Sequence, residues 1–339
     1  MLGRKKNDAE LKSCAKNDKP SGRLTREHVV WAYRLLLDRE PESDDVIGPK
    51  LAGSRDTSEL RHHLMTSAEF QENNRDYAHS NDRTIVIKEL DHGGVRLFVD
   101  LSDHVIGLNI VRGRYERNES RYVQSVLKPG DVAIDVGAHI GFFTMQMAAA
   151  VGPSGKVYAF EPFGPNAALL EQSIAENRFS DRVVFQRAAV GSASGTATLT
   201  FAVETLNSGG AYLLREGTPP LAGNQTKDVP LVALDEAAIQ RPVRLIKMDV
   251  EGAEPQVVRG AARLLEEDRP IILSELHPTQ LERASGVTAD DFLAQMRSLG
   301  YRAHLLECPA EAGHHASMVG PPLDRAPADA LASIVLLSV

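Results

Sequence analysis

The sequence predicts an α/β protein, a doubly wound Rossmann-like sheet preceded by a small all-helical domain. Three observations carry that expectation. Residues 131–144, DVAIDVGAHIGFFT, read as a short apolar strand that ends on Asp135, turns through Gly137 and Gly141, and restarts as an apolar helix. Twenty residues past Gly141, a second strand, Lys156–Phe160, ends on Glu161. Beyond it, strand-like and helix-like segments alternate, the pattern of a parallel sheet with helices on its faces. Strand, glycine turn, helix, strand and acid form the mononucleotide-binding half of such a sheet. The glycines let backbone approach the ligand, and the late acid accepts hydrogen bonds from ribose hydroxyls.

The elements follow in order. The chain has 339 residues, enough for one large core and an appendage. Residues 1–22 are polar and lysine-rich and are expected to form a disordered tail. Residues 23–80 are expected to form the helical module. Leu24-Thr25-Arg26-Glu27 is a helix start with Thr25 as its cap, and Val29, Val30, Tyr33, Leu36 and Leu37 follow at helical spacing. Arg39–Ser43 breaks that helix, and further helices are expected over 44–52 and 57–71. Residues 81–339 form the main domain. Thr84–Leu90 and Val95–Asp100 flank Asp91-His92-Gly93-Gly94, a hairpin turn. Ser120–Leu127 reads as a helix. Parallel strands are expected at 132–136, 156–160, 183–187, 243–248 and 270–275, with helices at 141–151, 165–177 and 254–266. Residues 194–232 are an insertion with strands at 196–203 and 229–234. Arg302–Leu306 and Ser333–Val339 are expected to add an antiparallel edge.

Composition excludes several classes. Apolar residues make up 42% and charged residues 25%, as in ordinary soluble domains. The formal net charge is −8, which argues against a nucleic-acid grip, since phosphate backbones need a basic face. No apolar run approaches the length of a membrane-spanning helix. Met1–Asp8 is basic with no apolar stretch behind it, unlike a secretory signal. Cys14 and Cys308 are the two cysteines, too few and too distant for a disulfide framework or a zinc site, so a cytoplasmic location is expected.

The glycine spacing narrows the nucleotide. A dinucleotide fingerprint starting at Gly137 needs glycine at 139 and 142, where the chain has His139 and Phe142. A dehydrogenase is therefore the least expected enzyme. A P-loop needs Gly-Lys-Ser/Thr, and Gly141 precedes Phe142. What remains is Asp-x-Gly-x-x-x-Gly, the looser turn of S-adenosylmethionine-dependent methyltransferases.

A second stretch carries the chemistry. In Arg244-Leu245-Ile246-Lys247-Met248-Asp249-Val250-Glu251-Gly252-Ala253-Glu254 an apolar strand delivers Asp249, with Glu251 and Glu254 close behind. If this strand lies beside the first, these acids meet the ligand at the topological switch point. Glu254 also suits the first turn of a helix, where a carboxylate complements the helix dipole.

Two family resemblances follow from these residues. Asp135–Gly141, Phe160-Glu161-Pro162 and Ile246–Glu254, supported by Leu127–Asp131, Ala189-Val190-Gly191 and Ile272–His277, resemble the FkbM family of methyltransferases over roughly residues 95–305. The resemblance implies a class I methyltransferase fold, S-adenosylmethionine as donor, and O-methylation of hydroxyls on sugars, glycans or secondary metabolites. It implies cofactor contacts from Asp135, Gly137, Ala138, His139 and Gly141, then from Glu161, Pro162, Ala188 and Asp249. His139 departs from the family pattern, which has Asn more often, but its backbone N–H is expected to remain available. Separately, Tyr33–Pro41 and Ser67-Ala68-Glu69-Phe70 resemble the helical repeat DUF4214, related in pattern to phycobilisome linker domains. That resemblance implies an accessory module of surface-glycan enzymes and exported proteins, and a protein partner for residues 24–79.

Because a sulfonium methyl is already activated, such an enzyme must place an acceptor hydroxyl in line and help remove its proton. Asp249 and Glu251 are the first candidates for base or orienting groups, and His277, just past the next strand, is the second. Mg²⁺ held by Asp249, Glu251 and Glu254 is the rival, less favoured reading of the same acids. His62-His63 and His314-His315 read as solvated pairs, since adjacent residues point different ways. The loop 204–212, with Asn207-Ser208-Gly209-Gly210, is a candidate lid. By analogy with the fold, Tyr115-Glu116 would cover the pocket. Two alternatives share the cofactor site: an N- or carboxyl-methyltransferase, and a catalytically idle scaffold in a glycan-assembly complex.

Overall fold

The computed structural model describes residues 24–37, 39–54, 84–91, 94–202, 209–306, 319–327 and 331–339, with scattered positions between 57 and 69. The expected tail, most of the expected helix 57–71, the hairpin-turn residues His92-Gly93, Asn207-Ser208, both cysteines, His62 and the pair His314-His315 lie outside the described residues. The chain divides into two compact units, Met1–Asp82 and Arg83–Val339.

In the first unit, α1 (Arg26–Leu37) starts where Thr25 Oγ1 accepts the His28 N–H at 3.4 Å. Val29, Tyr33 and Leu37 recur every four residues and are buried with Ile47, Leu60 and Leu64. α2 (Asp44–Ala52) is capped by Ser43, whose side chain accepts the Asp45 N–H. Arg39 pairs with Glu69 and lies 5.0 Å over the Tyr33 ring.

The second unit opens with an antiparallel hairpin, β1 (Ile85–Glu89) and β2 (Arg96–Asp100), then α3 (Gly107–Val111) and α4 (Arg117–Val126). The core then alternates: β3 (Val132–Val136), α5 (Phe142–Val151), β4 (Lys156–Phe160), α6 (Gly164–Glu176) and β5 (Val183–Gln186). An insertion follows: β6 (Ala189–Val190), β7 (Gly195–Ala202), β8 (Tyr212–Leu213) and β9 (Asn224–Val232) form a separate sheet in the order β6-β9-β7-β8. The chain returns through β10 (Leu245–Met248), α7 (Glu254–Gly260), α8 (Ala262–Asp268), β11 (Ile271–Leu276), α9 (Pro278–Ser285), α10 (Ala289–Ser298), β12 (Tyr301–Leu306), β13 (Val319–Pro322) and β14 (Ala332–Ser338).

The main sheet has eight strands in the order β13-β12-β14-β11-β10-β3-β4-β5. β3, β4, β5, β10 and β11 are parallel neighbours, and β14 runs antiparallel to both β11 and β12. The expected antiparallel addition beyond β11 is present, with β13 outermost and β14 wedged between β11 and β12. The Ile334-Val335-Leu336 run of β14 is 0% exposed, which only an interior position allows. The helix expected over 254–266 is two helices, because a side chain at Gly260 would collide with the Gly191 carbonyl and the chain breaks at Ala261.

Strand alternation sorts the core into two layers. Ala133, Val157, Leu245 and Leu273 face Val123, Met145, Met147 and Leu170. Ile134, Phe160, Ile246 and Ile272 face Val257, Leu264, Leu281 and Phe292. Asp135 and Lys247 occupy alternate positions on the first face and are direct register partners across β3 and β10. Among the described residues, no helix is long and apolar enough to cross a membrane.

Candidate active site

β3 is the switch point of the sheet: β4 lies on one side of it and β10 on the other. A cavity of about 290 Å³ opens at the carboxyl ends of these strands. Gly137, His139, Phe160, Glu161, Pro162 and Ala188 line one end. Tyr115, Glu116, Asp249, Val250, Glu251 and Glu275 line another part, and Leu199, Gly209, Ala211, Tyr212 and Leu213 of the insertion add a largely apolar wall.

The glycine turn is built by contact as well as conformation. Gly137 has φ +81°, and a side chain there would collide with the carbonyl oxygen of Asp249. The N–H groups of Gly137 and Ala138 both donate to the Phe160 carbonyl, at 3.0 and 2.9 Å. Glu161 is fixed by two backbone donors, His139 N–H at 2.9 Å and Phe163 N–H at 2.7 Å. Burial pushes its carboxyl up to about 7, against the pull of those two N–H groups.

Lys247 organises the other end. This ammonium is 4% exposed, donates to Asp249 Oδ2 at 2.9 Å, lies 4.0 Å from Glu116 Oε2 and sits 4.6 Å over the Phe143 ring. Burial alone would lower its pKa, but Asp249, Glu116 and Asp135 together drive it upward. Around this one cation the acids outnumber it. Burial first, then repulsion from Asp249, raises Glu251 to about 8 and Glu275 to about 9. Burial also raises Glu116 to about 7, partly offset by Lys247. Glu116, His139 and Glu251 have φ of 35°, 52° and 52°, left-handed values that cost a non-glycine residue energy and cluster here around one cavity.

Several sequence expectations need correction. Asp135 does not line the cavity; it is 1% exposed and accepts the Thr144 hydroxyl at 2.6 Å, so it stands behind the glycine turn beside Lys247. Ala138 is also off the cavity wall, its N–H spent on Phe160. Gly141 serves packing: φ is +94° and a side chain would come within 2.5 Å of Leu170 Cδ1. The His139 N–H, expected to be available, is taken by Glu161. His277 is not among the lining residues, because β11 ends at Leu276 and the chain turns there into α9. Glu254 accepts from the N–H groups of Val250 and Gly252, at 3.2 and 3.4 Å, and so ties the turn that precedes its helix. The carboxylates whose oxygens gather within 4.8 Å of one another are Glu116, Asp249 and Glu275, not the set Asp249, Glu251 and Glu254. Glu275 and Lys247 were missed as site residues. The signal for Lys247 was present: a lone lysine in an apolar strand needs buried counter-charges.

The donor set fits S-adenosylmethionine. A rigid, buried carboxylate, Glu161, suits ribose hydroxyls, a side-chain-free turn at Gly137 admits the ligand, and the acid-rich end suits a cation. With the edge strand β13 set aside and the other seven strands of the main sheet counted in chain order, the sheet reads 3-2-1-4-5-7-6 with strand 7 antiparallel. That arrangement is the class I methyltransferase fold. Residues 135–303 match the family model described as the methyltransferase FkbM domain. A curated relative, 31-O-demethyl-FK506 methyltransferase FkbM of Streptomyces tacrolimicus, is 29% identical over 160 residues, 40% of this chain and 60% of the relative. The chain thus spans about 60% of the length of that relative. A solved methyltransferase FkbM from Methylobacillus flagellatus KT is 14% identical, with 91% of this chain and 58% of that chain covered and a TM-score of 0.39. A solved S-adenosylmethionine-dependent O-methyltransferase from Thermotoga maritima is 18% identical over 66% of each chain, with a TM-score of 0.37.

Proposed function

We propose that this chain transfers the methyl group of S-adenosylmethionine to a hydroxyl oxygen of a sugar, glycan or secondary metabolite. The observation that carries the reading is one cavity with Glu161 at its nucleotide end and Asp249, Glu251, Glu275 and Glu116 at its reactive end. When bound, S-adenosylmethionine supplies a methyl group already activated on a sulfonium. Glu161 holds the ribose, and the Gly137 turn lets the ligand lie against backbone. Asp249 orients the acceptor hydroxyl, its own position fixed by Lys247 at 2.9 Å. Glu251 and Glu275, with pKa values raised to about 8 and 9, take the hydroxyl proton when ionised. The apolar wall from Leu199, Ala211 and Leu213 seats the acceptor's carbon face and excludes water. A carboxylate acceptor is disfavoured, because it would add a further anion to buried acids already raised by burial and by mutual repulsion.

Residues 24–79 are read as an accessory docking module, supported by their resemblance to DUF4214 and their separate apolar core. The test of the chemistry is methyl-labelled S-adenosylmethionine with a panel of glycans and macrolides. Label in a base-stable ether supports transfer to hydroxyl. Label released by mild base identifies a carboxyl ester and overturns the O-methylation reading.

A further inference from the structure

A second cavity, of about 80 Å³, lies on the other side of Tyr115, whose ring meets Phe142 edge-on at 5.1 Å. Lys88 of β1 and Arg117 and Arg121 of α4 line it, with Asp91 as its single carboxylate. Arg117 and Arg121 are four residues apart and so share one face of α4. Among the described residues, none of the three cations has a hydrogen bond or an ion pair with a protein group. Arg117 is also the first residue of α4, whose N-cap, Glu116, makes no side-chain capping bond, so the positive helix end adds to the three cations. The floor is polar: Ser120 and Gln124 both donate to Gln146 Oε1. With three side-chain cations against one carboxylate, the cavity is cationic in a protein of net charge −8.

We infer that this cavity is an anion subsite that binds a phosphate group through Lys88, Arg117 and Arg121. Two guanidinium forks and one ammonium supply the planar and point-charge donors that tetrahedral oxyanions take. The space suits such a group and is much smaller than the main cavity, about 80 against 290 Å³. Tyr115 lines both cavities, so a phosphate here would sit directly behind the wall of the methyl-transfer site. The inference does not depend on the methyl-transfer reading, because phosphate binding is read directly.

The test is calorimetric titration of the full chain with inorganic phosphate and, separately, glucose 1-phosphate, at constant ionic strength set with sodium chloride. Saturable binding is expected, weakened about tenfold or more by Arg117→Gln and Arg121→Gln together. The double variant should keep its affinity for S-adenosylmethionine, since neither arginine lines the main cavity. Tighter binding of glucose 1-phosphate would identify a phosphate carried on a larger molecule. Equal or tighter binding of inorganic phosphate would identify free phosphate. Absence of saturation by both probes, or wild-type affinity in a double variant of unchanged melting temperature, overturns the subsite. If the double variant does not fold, Lys88→Gln decides: weaker phosphate binding supports the subsite and unchanged binding overturns it.

Discussion

The ammonium of Lys247 donates to the carboxylate of Asp249 at 2.9 Å, two residues along the same strand end. The pair is possible because a strand repeats its facing every two residues. β10 therefore points both side chains toward the layer that holds Asp135, Glu116 and Phe143. One buried cation thus joins the back of the glycine turn, through Asp135, to the acids of the reactive end.

Removing that cation should be costly. Lys247→Met would leave Asp135, Asp249 and Glu116 buried together without their counter-charge. The expected loss of stability is about 3–5 kcal/mol, measured by urea denaturation. The loss should be smaller at pH 5 than at pH 8, because Glu116, raised to about 7, is neutral at the lower pH. A loss of under about 0.5 kcal/mol at pH 8 would mean that Lys247 is not the organiser of the site.

The raised carboxyls predict how stability follows pH. Glu161, Glu254, Glu251 and Glu275 move from an ordinary 4.5 to about 7, 7, 8 and 9 on folding. The folded chain therefore binds more protons than the unfolded chain across that window. Stability from these groups is fully present below the unfolded value, and it falls as pH rises from about 4.5 to about 9. Glu275→Gln should flatten the decline between pH 6 and pH 9, by an amount on the order of 2 kcal/mol. Parallel stability curves for wild type and variant would remove Glu275 from the buried cluster.

The two turn glycines should respond differently to alanine. At Gly137 the added methyl meets fixed backbone, the Asp249 carbonyl, and φ is +81°. Gly137→Ala should cost about 3–5 kcal/mol and abolish cofactor binding. At Gly141 the obstacle is the movable end of Leu170, so Gly141→Ala should cost about 1–3 kcal/mol and leave cofactor affinity nearly unchanged. Equal effects on binding would contradict the separation of ligand-facing and packing glycines.

The sequence exposed those parts of the site that depend on local order. Gly137, Glu161 and Asp249 each follow an apolar strand, and strand ends in this fold are where ligands bind, so their positions were legible. Glu116 was reached only by analogy, and Glu275 was missed, because what brings them to Asp249 is packing of α4 and the pairing of β11 with β10. Spacing along the chain carries no trace of either. His277 does stand just past β11, as expected, but the chain turns there into α9 and it is not among the residues that line the cavity. The C-terminal strand was recognised, but its insertion between β11 and β12 depends on a long-range return of the chain.

The base and metal readings of the acids separate by chelation. Lys247 already neutralises part of the cluster formed by Glu116, Asp249 and Glu275, so a chelator should leave turnover unchanged. Asp249→Asn should cut turnover by about 10²–10⁴-fold while the fold persists. Turnover should rise with pH through the region of about 8 to 9, where Glu251 and Glu275 lose their protons, rather than near an ordinary carboxylate value. Loss of activity with chelator and recovery with Mg²⁺ would reassign Glu116, Asp249 and Glu275 as metal ligands.

The most direct test of the central claim, that the cavity is an S-adenosylmethionine site anchored by Glu161, is calorimetric titration of the cofactor into the wild-type chain and Glu161→Gln. The wild type should show saturable binding at one site. The variant should bind about ten- to a hundredfold more weakly, the scale of hydrogen bonds to a charged group. Absence of saturable binding to the wild type, or equal affinity in a folded Glu161→Gln variant, would contradict it.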